Sequence, residues 1–187
     1  MRGDVFTLTL PQPPVDRAEI LRYAGVRGDG EGLPLEECLA QLLPTLDYRV
    51  CYTVLPLSAF SAPIRDALAG CARVLAFAAT VGLGPDRLVA RLAPLSPAKA
   101  LLADAAGTER VEALCDAFEK EMAATYGGAR RRVSPGYGTL PLALQEELFR
   151  LLEPTKHVGL TLGAGLLMSP AKSVTALIGL ETIGETK

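Results

Sequence analysis

The sequence predicts a single α+β domain that spans residues 1–187. Three observations predict this fold class. The chain is long enough for one domain with a core and too short for two of ordinary size. Its residues are 49% hydrophobic and 21% charged, a balance typical of folded globular proteins. Helical and strand-like segments follow one another without regular βαβ alternation, which favours α+β over a doubly wound sheet.

The first half of the chain contains two helical segments followed by two strand segments. A helix is expected over residues 16–24 with Asp16 as its N-cap, and a second helix is expected over LEECLAQLL. RVCYTVLP (49–56) combines β-branched and aromatic residues and ends at a proline, which is typical of a strand. RVLAFAATVG (73–82) is almost entirely apolar and predicts a buried strand.

The middle of the chain is predicted to be mostly helical. GPDRLVARL carries Pro and Asp in its first turn, as helix starts often do. Ser96-Pro97 starts another helical segment, and ERVEALCDAFEKEM continues the pattern after Gly107. That last segment has an apolar stripe and an acidic side at helical spacing. The stripe consists of Val111, Leu114, Cys115, Phe118 and Met122, and the acidic side consists of Glu112, Asp116 and Glu119.

The C-terminal part predicts one more helix and two strands. The helix buries Leu144, Leu148, Leu151 and Leu152, with Phe149 beside them. Residues 158–180 are apolar, but they contain Pro170, Lys172 and four glycines and lack flanking aromatic anchors, which argues against a membrane span. Strands over 158–162 and 173–179, joined by a Pro-containing turn, explain this segment better. Because the N-terminus also lacks the apolar region of a secretory signal, we expect a soluble cytoplasmic protein.

Composition and spacing exclude several classes of function. A net charge of −2 argues against a general nucleic-acid binder. The four cysteines stand singly without a CxxC pair, so buried free thiols are expected and a cysteine metal site is not. His157 is the only histidine, and no HExxH or DxDxDG pattern occurs, so neither a hydrolase nor a metalloenzyme is indicated. GAGLLMSPAKS is no phosphate-binding loop, because Ala171 replaces the glycine required before the lysine.

RRRVSPGYG (130–138) is the candidate binding motif. An arginine can hold a carboxylate through two parallel hydrogen bonds, which a lysine cannot do. Pro135 stiffens the bend, Gly136 lets a ligand approach the backbone, and Tyr137 offers a ring face and a hydroxyl. This set of groups suits an amino-acid-like ligand, although the spacing alone also occurs by chance. Arg130 and Arg131 are expected to be solvated.

The acidic side of the predicted central helix has two interpretations that the sequence leaves open. Like charges at these spacings repel unless a cation lies between them. In one interpretation the side is solvated and neutralised by Lys120 and Arg110. In the other it binds the ammonium group of a ligand.

Several segments, in order, resemble the C-terminal activation (reactivation) domain of cobalamin-dependent methionine synthase, and more closely the small stand-alone proteins of that family. The family has an Arg-Pro-Ala-Pro-Gly-Tyr segment, a helix, an (Ile/Val)-Gly-Met-x-Leu strand, and Met-Trp-Pro-Gly-Ala-Ser-Val-Ser-Gly. Here these positions read RVSPGY (132–137), VGLTL (158–162) and MSPAKSVTA (168–176). EILRYAGVRG, FAATVGLGPDRL and VEALCDAFEKEM also look like family segments.

The resemblance implies a twisted antiparallel sheet with packed helices and an accessory role in methionine biosynthesis. Such a subunit binds S-adenosylmethionine, docks on the cobalamin-binding subunit or domain, and supports reductive methylation of cob(II)alamin with electrons from a flavodoxin-like donor. It would lack a complete catalytic apparatus of its own, since the cobalt and the electrons come from elsewhere. The alternatives are a non-catalytic docking module for a corrinoid protein and a component of another corrinoid-dependent methyltransferase.

The resemblance also implies residue roles. The arginine holds the ligand carboxylate, the Gly-Tyr portion lies beside the ligand and the corrin, and a helix carboxylate holds the ammonium group. The implied S-adenosylmethionine-binding set is Arg132, Ser134, Pro135, Gly136, Tyr137 and either Asp116 or Glu119, and the implied corrinoid-facing set is Tyr137, Met168 and Ser169. The family's Thr-Glu-Ser is replaced by Gly163-Ala164-Gly165, its tryptophan by Ser169, and the sequence stops at Lys187 before a family tyrosine. These departures favour the docking-module alternative.

Overall fold

A computed structural model describes residues 3–181. The strands are Phe6–Thr9 (β1), Arg49–Pro56 (β2), Arg73–Thr80 (β3), Thr161–Leu162 (β4), Met168–Ser169 (β5) and Ser173–Leu180 (β6). The α-helices are Arg17–Tyr23 (α1), Leu35–Leu42 (α2), Ala62–Ala67 (α3), Gly84–Leu92 (α4), Pro97–Tyr126 (α5), Leu144–Leu152 (α6) and Pro154–Val158 (α7). Short 3₁₀ turns lie at Leu43–Thr45, Leu57–Ala59 and Ala164–Leu166.

The main sheet has the order β1-β2-β3-β6, and each neighbouring pair is antiparallel. Helix α5 covers one face with residues such as Leu114 and Phe118. Helices α3, α6 and α7 cover the other face, where Leu148 and Leu152 are fully buried. Because both faces are covered, every residue of β3 after Arg73 is buried, which explains why this strand reads as a continuous apolar run.

The N-terminal half of α5 packs against α1, α2 and α4, and this layer has its own apolar cluster. The two helical segments expected on either side of Gly107 form one 30-residue helix. A side chain at Gly107 would lie 2.9 Å from Pro85 Cβ and 3.0 Å from Lys172 Cγ. The glycine therefore permits α4 to approach α5 closely, and it does not end the helix.

Most of the predicted elements are confirmed. The strands over 49–56 and 173–179 are β2 and β6, and the buried run at 73–82 contains β3. The side chain of Asp16 caps α1 by accepting a hydrogen bond from the Glu19 N–H at 3.1 Å. The apolar stripe of α5 is buried over its whole length, from Val111 to Met122. In α6, Leu144 is also buried, whereas Leu151 and Phe149 are only half-buried.

The strand predicted over 158–162 is wrong. Val158 ends α7, and Gly159 follows with a left-handed φ of 71°. Only Thr161–Leu162 is extended, and it pairs with β5 outside the main sheet. Val158 and Leu160 are buried against the face that α6 covers, so their apolar character reflects core packing without strand pairing.

The four cysteines are free and buried, as expected. Burial raises the pKa of the Cys51 thiol to about 12, and it also raises the pKa of Cys38, Cys71 and Cys115. Thiols in such surroundings are poor nucleophiles, because the thiolate is the reactive form. None of the helices within residues 3–181 combines the length and apolar character needed to cross a bilayer.

Candidate functional site

The segment that contains the Arg-rich motif runs along β6 at the edge of the main sheet. The Arg130 N–H donates to Gly179 O at 2.9 Å, and Val133 exchanges two hydrogen bonds with Leu177, at 2.9 and 2.8 Å. Successive side chains of an extended chain point to opposite sides. Val133 accordingly packs into the core on the α6 side, and Arg132 points to α5.

Arg132 contacts three carboxylates on α5. Its Nη1 lies 2.5 Å from Asp116 Oδ1 and 2.6 Å from Glu119 Oε2, and its Nη2 lies 2.8 Å from Glu112 Oε2. Its backbone N–H also donates to Glu119 Oε1 at 2.9 Å. The carboxylates follow one another by four and three residues, so they lie on one helix face. We call Arg132, Glu112, Asp116 and Glu119 the acidic cluster, which carries two more negative charges than positive ones.

The Arg132 guanidinium is largely enclosed, with its side chain 17% exposed, whereas the Asp116 side chain is 70% exposed. Burial alone would lower the pKa of Arg132. Hydrogen bonds to Asp116, Glu112 and Glu119 outweigh that effect and raise it. The arginine is therefore permanently charged, and Asp116 is the partner that water reaches most easily.

The cation that neutralises the acidic side of α5 is Arg132. The expectation that Arg110 lies on this side is wrong. Arg110 is fully buried, forms an ion pair with Glu109, and donates to Pro13 O at 2.7 Å and to Pro14 O at 2.6 Å. Side chains two residues apart on an α-helix differ in direction by roughly 200°, so Arg110 points away from the side that carries Glu112. Its hydrogen bonds instead hold the N-terminal segment at Pro13 and Pro14 in place.

An open groove of about 570 Å³ borders the acidic cluster. Its lining includes Glu112, Asp116, Lys120, Arg131 and Arg132 on one side and Pro13, Pro14, Asp16, Glu19 and Tyr23 on the other. There is thus a concavity beside Arg132. Local sequence patterns could not show that the residues at and before α1 form the opposite side of the groove, because about 90 residues separate them from the acidic side of α5. Glu112 belongs to the acidic side that the sequence shows but not to the implied binding set, although it precedes Asp116 by one helical turn on that side.

The remaining residues of the predicted binding set form a turn after Arg132, outside the groove lining. Pro135 is buried and Ser134 is half-buried, and the Ser134 O accepts a hydrogen bond from the Tyr137 N–H at 3.2 Å. Gly136 has a φ of 87°, which favours glycine, and its N–H donates to Leu140 O at 2.8 Å. The Tyr137 side chain is 76% exposed.

The other two residues of the predicted corrinoid-facing set lie in β5. Ser169 is exposed, and Met168 is half-buried against the core that α6 covers. Their roles, like those of residues 134–137, stay predictions. Within residues 3–181, no group of three or more His, Cys, Asp or Glu side chains is placed to hold a metal ion.

No family model matches the chain, and no curated protein matches it significantly. Among solved structures it is similar to the crystal structure of the MetH reactivation domain bound to AdoHcy, with a TM-score of 0.70 and 17% sequence identity. The match covers 100% of this chain and 81% of that one. A similarity at this level of identity concerns the fold, and it confirms the architecture that the resemblance implied. The protein therefore has the α+β fold of the methionine synthase reactivation domain.

Proposed function

We propose that this protein is an activation subunit of a cobalamin-dependent methionine synthase and binds S-adenosylmethionine in the groove beside Arg132. The observation that carries the proposal is the position of the acidic cluster. A guanidinium and the α5 carboxylates meet at the edge of a groove, in a fold shared with a domain whose crystal structure contains AdoHcy. The subunit works in the cytoplasm, docks on the corrinoid domain and supports reductive methylation of cob(II)alamin, with electrons from a flavodoxin-like donor.

The charge of the groove suits this ligand. S-adenosylmethionine carries a carboxylate, an ammonium and a sulfonium group, so it is a net monocation at neutral pH. The acidic cluster has three carboxylates for one guanidinium. Opposite charges at this distance attract, and salt weakens the attraction where the groups are exposed. The sulfonium is lost on conversion to S-adenosylhomocysteine, which is neutral overall.

Binding of the amino-acid portion takes place by exchange at Arg132. The guanidinium Nη1 is shared between Asp116 and Glu119, and Asp116 is far more exposed than Glu119, whose side chain is 21% exposed. The ligand carboxylate displaces Asp116 from Nη1, and the released Asp116 carboxylate accepts the ligand ammonium. Glu119 stays in place because it also holds the Arg132 backbone N–H. Asp116 is thus the binding carboxylate, and Glu119 positions the arginine.

Isothermal titration calorimetry with S-adenosylmethionine tests this assignment. Asp116→Asn is expected to weaken binding by about tenfold or more, since a hydrogen bond between charged groups contributes about 1.5–3 kcal/mol. Glu146→Gln, which removes an exposed carboxylate from α6, serves as the matched control and should bind as the wild type does. S-adenosylhomocysteine should bind more weakly, with a smaller dependence on salt. Absence of binding heat, both alone and with the corrinoid domain present, would rule out the ligand.

A second function, a docking module that binds a corrinoid protein and no small molecule, is favoured by one feature of the site. The side chain and backbone of Arg132 are already engaged by α5 carboxylates, and residues 134–137 do not line the groove. A pull-down with a corrinoid domain separates the two functions. If the protein is an activation subunit, Arg132→Ala should abolish S-adenosylmethionine binding. If it is a docking module, the same substitution should leave docking on the corrinoid protein largely intact. If the protein captured in the pull-down is the corrinoid subunit of another methyltransferase, this protein is a component of that methyltransferase.

A further inference from the structure

A second cavity, of about 510 Å³, lies where β2 begins and β3 ends, between α2 and α4. Three arginines line it, Arg49 from β2 and Arg87 and Arg91 from α4. Asp47 is the only carboxylate among its lining residues. We call Arg49, Arg87, Arg91 and Asp47 the basic cluster, which carries two more positive charges than negative ones. No residue of this cavity belongs to the groove beside Arg132.

The protein itself supplies few hydrogen-bond acceptors to these three guanidinium groups. Arg49 Nε lies 2.8 Å from Asp47 Oδ2, and Arg91 Nη2 donates to the neutral Gln41 Oε1 at 2.9 Å. Within residues 3–181, Arg87 has no hydrogen bond or ion pair through its side chain. Arg87 and Arg91 are four residues apart on one helix face, where like charges repel. An external anion would relieve this repulsion.

The backbone around the cavity is closely packed. A methyl group on Gly84 would overlap Thr45 Oγ1 and lie 2.6 Å from Thr45 O, so α4 begins directly against the 3₁₀ turn Leu43–Thr45. Gly82 has a φ of 78° and turns the chain from β3 toward α4, with its α-carbon facing Asp47. These contacts fix the start of α4, whose positive end is next to the cavity and adds to its attraction for anions.

We infer that the basic cluster binds the phosphate group of a small phosphorylated molecule. Guanidinium groups match phosphate oxygens through paired hydrogen bonds, and a phosphate dianion balances the two excess positive charges. A single carboxylate would leave one charge unbalanced. The cavity volume lies within the range of about 300–1,000 Å³ that small-molecule sites occupy. This inference does not depend on the proposed function, because it uses different residues, elements and ligand chemistry.

Calorimetric titration of the full chain with inorganic phosphate and with ribose 5-phosphate, at constant ionic strength, tests the inference. Saturable binding is expected, and Arg87→Gln and Arg91→Gln should each weaken it by about tenfold, the loss of one charged hydrogen bond. Arg150→Gln removes an exposed helical arginine from α6 and should bind as the wild type does. Ribose 5-phosphate binding that is tighter than phosphate binding, with no binding of ribose, would identify a sugar phosphate; equal binding would identify phosphate alone.

Two outcomes overturn the inference: no saturation by either probe at about 10 mM, or wild-type binding by both Arg87→Gln and Arg91→Gln. Circular dichroism and thermal unfolding establish that each variant is folded, and the two variants are independent of each other. S-adenosylmethionine titration of Arg87→Gln should match the wild type. A failure of the phosphate experiment therefore leaves the proposed function unaffected.

Discussion

The acidic cluster and the basic cluster are built from the same residue types with opposite balances of charge. In the first, one arginine lies among three carboxylates, and in the second, three arginines lie beside one carboxylate. The partner helix makes the difference, because α5 presents acidic residues to Arg132 whereas α4 itself supplies two of the arginines of the basic cluster. The availability of an arginine for a ligand therefore depends on the charged groups that the facing elements place beside it.

The two clusters should therefore contribute to stability with opposite signs. In the acidic cluster the guanidinium forms charged hydrogen bonds in a largely enclosed position, which stabilise the fold. In the basic cluster the charges on α4 repel, which costs stability in the ligand-free protein. Substitutions that change either the packing or the charge, but not both, can test this difference in stability between the two clusters.

Gly84→Ala is expected to have the largest effect, because it disturbs the packing that shapes the basic cavity. The new methyl group would overlap Thr45 Oγ1 and approach Thr45 O to 2.6 Å. Although alanine is the better helix former, overpacking of this kind costs about 1–3 kcal/mol or more, and we expect a loss of roughly 3 kcal/mol in the free energy of unfolding. Denaturant unfolding measures this loss.

The control for Gly84→Ala is Gly163→Ala. Gly163 has a φ of −94°, and among the residues that the structure describes a methyl group there would meet only Leu167 O, at 3.5 Å. This control should change the free energy of unfolding by less than about 0.5 kcal/mol. An effect of Gly84→Ala as small as that of the control would show that the start of α4 is not tightly packed.

Arg132→Ala should have the next largest effect. The substitution removes the only cation of the acidic cluster and leaves three carboxylates on one face of α5. Loss of charged hydrogen bonds and the remaining repulsion should lower the free energy of unfolding by about 2 kcal/mol. Arg131→Ala, an exposed neighbour, should change it by less than about 0.5 kcal/mol. If both variants unfold at the same denaturant concentration, Arg132 has no stabilising role.

The sequence predicted best the elements whose own pattern shows their burial. The apolar run of β3 and the stripe of α5 carry that information locally. Strand β1 was missed because it is a short and mostly exposed edge strand, and its apolar alternation, Phe6-Thr7-Leu8-Thr9, covers only four residues. The prediction over 158–162 failed because Val158 and Leu160 are apolar for packing against the core. Apolar character indicates burial, and it does not by itself distinguish a strand from a buried helix end.

The candidate site was predictable only in part, for a similar reason. The resemblance selected Arg132 and the carboxylates of α5, which the fold does bring together. Their contact with each other was not predicted, because residue spacing along the chain does not show which charges meet. In the sequence, the basic cluster is indicated only weakly, by the spacing of Arg87 and Arg91, which are four residues apart. Arg49 joins them only through the packing of α4 beside the sheet.

Arg87→Gln should have the smallest effect and the opposite sign to Arg132→Ala. Arg87 has no side-chain partner within residues 3–181, and its removal relieves the repulsion from Arg91, which lies one turn away. We expect the free energy of unfolding in phosphate-free buffer to rise by about 0.2–0.5 kcal/mol, the size of one like-charge pair on a helix. Arg150→Gln should leave it unchanged, since within residues 3–181 the Arg150 side chain forms a single hydrogen bond, to the Glu146 carbonyl of its own helix at 3.3 Å. In excess phosphate the order should reverse, because a ligand that binds only the folded state stabilises the tighter-binding wild type more than the variant. A loss of more than about 1 kcal/mol in phosphate-free buffer would contradict the comparison, because Arg87 would then stabilise the ligand-free fold just as Arg132 does.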